Sequence, residues 1–82
     1  MWIKSQDKCT LINAKKFEIA DFHTLYKNAI WGDDNLLGKY STREKTLKVL
    51  DDIQIYITKK ENDTYNSKFG VFQMPLDSEV AE

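Results

Sequence analysis

Ser41-Thr42-Arg43-Glu44-Lys45-Thr46-Leu47-Lys48-Val49-Leu50-Asp51-Asp52-Ile53-Gln54-Ile55-Tyr56-Ile57-Thr58-Lys59 is the stretch whose reading decides the fold. It opens with the pattern of a capping box, in which the Ser41 side chain accepts from the Glu44 amide and the Glu44 carboxylate reaches back. Leu47, Leu50, Ile53 and Ile57 then recur at helical spacing, widened by Val49 and Tyr56. Lys59 and Lys60 suit the carbonyl end of a helix dipole. The pattern predicts one long helix near 42–59.

Short extended segments lie on both sides of it. Trp2 to Gln6 alternates in the manner of a strand, Asp7-Lys8 suits a turn, and Cys9 to Ile12 suits a second strand. Lys16-Phe17-Glu18-Ile19 alternates apolar and charged residues, so one face is expected to be buried and the other wet. Residues 21–31 have two readings. Phe22, Leu25, Tyr26, Ala29 and Ile30 fit a helix, with Asp21 and Gly32 at its ends. The rival is a strand over 26–31 that turns through Gly32-Asp33-Asp34-Asn35 and pairs with 36–40; this hairpin is preferred because the second strand needs a partner. Glu61 to Lys68 reads as a polar loop, and Gly70 to Met74 as a last strand stopped by Pro75. The expected fold class is α+β: a small antiparallel sheet of about four to five strands with the helix packed on one face. Residues 1–76 form the single domain, and 77–82 form an acidic, frayed C-terminal tail.

Composition excludes several functions. The chain has 82 residues, net charge −1, one cysteine and one histidine. It has no intramolecular disulfide and no Cys/His metal site, and no segment approaches a membrane span. The opening residues do not read as a signal peptide, so a reducing cytoplasm is expected. Eleven of the twelve basic residues are lysines, which argues against sequence-specific nucleic-acid binding. A domain this small buries a limited core, so a homo-oligomer, dimer or higher, is expected.

No catalytic set emerges. His23 with Cys9 lacks an orienting partner, and Asp33-Asp34 and Asp51-Asp52 read as solvated acids rather than metal ligands. Gly38-Lys39-Tyr40-Ser41-Thr42 lacks the upstream glycine and the adjacent lysine–hydroxyl pair of a phosphate loop. Two features carry binding chemistry. Lys39, Ser41, Thr42 and Arg43 gather cations, hydroxyls and free amides at a helix start, which suits a phosphate or carboxylate unless the cap satisfies those amides itself. Trp2, Trp31 and Tyr40 offer rings for stacking on a planar ligand or anchoring an interface, with core burial as the alternative.

Trp2-Ile3-Lys4-Ser5-Gln6-Asp7-Lys8 resembles the W-I-R-S-Q-D-K opening of small proteins of phages and prophages of Gram-positive bacteria. Leu37-Gly38-Lys39-Tyr40-Ser41-Thr42-Arg43-Glu44-Lys45, running on to Gln54, resembles their L-G-x-Y-S-T-x-E-[KR]-A-L-x-V-L-D-x-I-Q block, and Met74-Pro75 resembles their M-P. Lys4 replaces a common arginine and Thr46 a usual alanine. The resemblance implies a phage accessory protein acting in the cytoplasm of a bacterial host. By analogy it implies an anti-defence sponge that sequesters a nucleotide-type immune signal, such as a cyclic ADP-ribose isomer, without cleaving it. In that role Lys4, Gln6, Lys39, Ser41 and Arg43 would hold phosphates and hydroxyls, and Trp2, Trp31 or Tyr40 would stack on a base. The alternative is a small phage protein that binds and inhibits or adapts a host protein. Neither role calls for a cofactor or metal.

Overall fold

A computed structural model describes residues 1–19, 27–62 and 70–81. The fold is α+β. Strands β1 (Trp2–Lys4), β2 (Leu11–Asn13), β3 (Phe17–Glu18), β4 (Ala29–Gly32) and β5 (Asn35–Lys39) precede helix α1 (Arg43–Asn62); β6 (Val71–Gln73) and a 3-10 turn at Asp77–Glu79 follow.

The strands divide into two three-stranded sheets, ordered β2-β1-β6 and β3-β4-β5. Pairing is antiparallel except between β1 and β6, where Ile3 lies beside Phe72 in parallel. Short turns enforce antiparallel pairing only between strands close in sequence. β1 and β6 are separated by nearly the whole chain, α1 included, and such a crossover permits parallel pairing.

The 26–31 strand reading holds for its described part. β4 and β5 form a hairpin in register Gly32 with Asn35 and Trp31 with Leu36, with an irregularity between Ile30 and Trp31. Asp33 and Asp34 both have positive φ, 46° and 68°, as a two-residue hairpin turn of the tightest kind requires. The helix alternative fails over 27–31, where a turn at 27–28 leads into β4; residues 21–26, with His23, lie outside the described residues. Asp33 does more than face solvent: its carboxylate accepts from the Lys15 and Lys16 amides at 2.9–3.2 Å, pinning the turn before β3. The Lys16 amide, then the Lys15 amide, hold its pKa below the ordinary aspartate value.

Helix α1 lies against both sheets. It approaches β4, and the Tyr56 ring meets Phe72 of β6 edge-on, with centroids 5.3 Å apart. The buried side is rotated from the expected stripe: Thr46, Val49 and Ile53 are fully buried, with Leu50 and Ile57 beside them, while Leu47 and Ile55 stand about half exposed. Thr46 can occupy a core position because its hydroxyl folds back onto the Thr42 carbonyl at 2.9 Å, leaving its methyl for packing. Ile3, Ile30, Leu37, Tyr40, Met74 and Val80 complete the core.

The acidic end is not frayed through residue 81. Val80 is a core residue, the Leu76 amide donates to the Glu79 carboxylate at 2.8 Å, and Lys48 Nζ donates to the Ala81 carbonyl at 2.9 Å.

Candidate binding surface

The segment Ser5-Gln6-Asp7-Lys8 builds a tight turn. Ser5 is buried; its hydroxyl donates to Asp7 at 2.5 Å and accepts the Thr10 amide at 3.0 Å. The Asp7 carboxylate also accepts from the Cys9 amide, and Lys8 takes positive φ, 66°. The Ser5 hydroxyl and the Cys9 amide lower the Asp7 pKa. Gln6 acts as a backbone surrogate. Its Oε1 accepts from the Lys39 amide at 3.0 Å, its Nε2 donates to the Lys39 carbonyl at 2.9 Å, and its own amide donates to the Leu37 carbonyl at 2.7 Å. These bonds tie the first sheet to the end of β5.

The same locus receives Tyr40 and the Met74-Pro75 segment. The Tyr40 hydroxyl donates to the Pro75 carbonyl at 2.8 Å, and Gln6 Nε2 reaches the same oxygen at 3.2 Å. Burial, reinforced by the carboxylates of Asp77 and Glu79, pushes the Tyr40 phenol above its ordinary value of 10, so it remains a donor. Gly38 is closely approached: a Cβ there would lie 3.0 Å from the Tyr40 oxygen and 3.1 Å from Met74 Cε, so both side-chain ends would have to shift. The turn after β1, the end of β5 and the Met74-Pro75 segment therefore meet in one hydrogen-bonded junction.

The helix start already holds an anion. Thr42, one residue later than the expected cap, accepts the Lys45 amide at 3.2 Å. The Ser41 amide donates to Asp77 Oδ1 at 2.7 Å, and Lys45 Nζ lies 3.5 Å from Asp77 Oδ2. The Ser41 amide first, then the Ser41 hydroxyl and Lys45, lower the Asp77 pKa. An internal carboxylate thus takes the position where an external phosphate was expected.

Of the eight residues expected to bind ligand, Gln6, Tyr40 and Ser41 have clear internal partners, and Tyr40 is a core residue rather than a stacking platform. Lys39 and Arg43 are exposed at the junction and on the first helical turn, and Trp31 is half-buried on β4 in the second sheet. An open depression of about 80 Å³ lies between residues 5–7 and 36–39. It is well below the roughly 300 Å³ at which pockets enclose small molecules.

Trp2 and Lys4 do come together. They lie on one face of β1, the central strand of the first sheet, while Ile3 between them faces the core. The register puts Asn13 and Val71 on either side of Trp2, and Leu11 and Gln73 on either side of Lys4. Trp2 is 47% exposed, Leu11 54% and Val71 49%. Sequence reasoning missed Leu11 and Val71, because strand alternation does not say which strands are neighbours. It missed Asp77 too, which belongs to the expected frayed tail.

The fold and surface define a small α+β protein with an amphipathic outer sheet face. The chain matches no protein-family model, no curated protein and no solved structure. No helix among the described residues is long and apolar enough to cross a membrane.

Proposed function

We propose that this chain is a non-enzymatic binding module that engages a protein partner through the outer face of the β2-β1-β6 sheet. The observation that carries the reading is the alignment of Trp2, Leu11 and Val71, all about half exposed, on one face. Exposed apolar side chains gathered on one face of a small protein suit an interaction site. Tryptophan is the residue type most often found to anchor them. In the setting that the resemblance implies, the partner is a host protein in the cytoplasm of the bacterium, which the chain inhibits or adapts.

Sequestration of a nucleotide-type immune signal is the second reading, favoured by one feature: Trp2 and Lys4 share the face, so a ring for stacking stands beside a cation for a phosphate. A flat face encloses little of a small ligand, so this reading requires a homo-oligomer whose second copy closes over it. One experiment separates the two. The tagged chain is expressed in host cells, purified, and heated to release what it carries. A stoichiometric protein supports the first reading, and an intact small molecule identified by mass spectrometry supports the second. A chain that carries neither contradicts both.

A further inference from the structure

We draw no further inference here: the strongest candidate, the exposed apolar patch of Trp2, Leu11 and Val71 on the outer face of the β2-β1-β6 sheet, carries nothing beyond the proposed function, because nothing in the structure shows what covers it.

Discussion

The Tyr40 hydroxyl donates to the Pro75 carbonyl at 2.8 Å, across thirty-five residues of sequence. The Gln6 side chain donates to the same oxygen at 3.2 Å. One acceptor thus joins the turn after β1, the approach to α1 and the segment after β6. The junction is structural: its polar groups are directed at backbone inside the chain.

Sharing an acceptor has a measurable consequence. Tyr40→Phe and Gln6→Ala each leave Pro75 one donor; the first is expected to cost about 1–2 kcal/mol and the second more, because it also strips the Lys39 amide and carbonyl of their partner. The double variant leaves a part-buried carbonyl unsatisfied, so its cost should exceed the sum of the two by about 0.5–1 kcal/mol. Urea unfolding of the four proteins checks this; simple additivity would mean that the two bonds are independent.

Acid should release the C-terminal segment. The folded-state pKa of Asp77 is lowered, chiefly by the Ser41 amide. Its contribution to stability is therefore fully present above the ordinary aspartate value of 3.8 and is lost as pH falls through the lower folded value. Asp7 and Asp33 shift in the same direction, so global unfolding mixes three groups. The Val80 methyl resonances report the local event. They should lose their buried shifts below the ordinary range in the native chain, and Asp77→Asn should lack that acid step. A native chain whose Val80 signals stay constant until global unfolding would show that Asp77 does not hold the segment.

Assembly is expected to use α1 rather than the sheet face. Leu47 and Ile55 lie eight residues apart on one side of the helix, both about half exposed. Light scattering with gel filtration should give a dimer or higher, and Ile55→Asp should give monomers with stability changed by no more than about 0.5 kcal/mol. A monomeric native chain would remove self-association from the account, and an unchanged oligomer in Ile55→Asp would move the contact elsewhere.

The parts of the fold legible in sequence are those written locally. Gly32-Asp33-Asp34-Asn35 announces the hairpin because Asp tolerates the positive φ that such a turn needs. The helix is legible from its cap and period, although Thr46 and not Leu47 faces the core, since two sheets rather than one set its buried side. What stayed hidden depends on distant partners. The parallel β1–β6 pair has no local signature, and Gln6 gives no sign that its amide will substitute for a strand. Three of the eight expected ligand residues also turn on distant partners. Tyr40, Ser41 and Gln6 carry suitable chemistry, but Pro75, Asp77 and Lys39 engage them from within the chain.

Mapping the contact by nitrogen–proton NMR tests the central claim most directly: the outer face of the first sheet, not the helix start, is the working surface. The labelled chain is recorded alone and with the protein captured from host lysate. Shifts are expected at residues 2–4, 11–13 and 71–73, with 41–45 little changed. Perturbation centred on 41–45, with the three strands unaffected, would contradict the account and return the binding site to the start of α1.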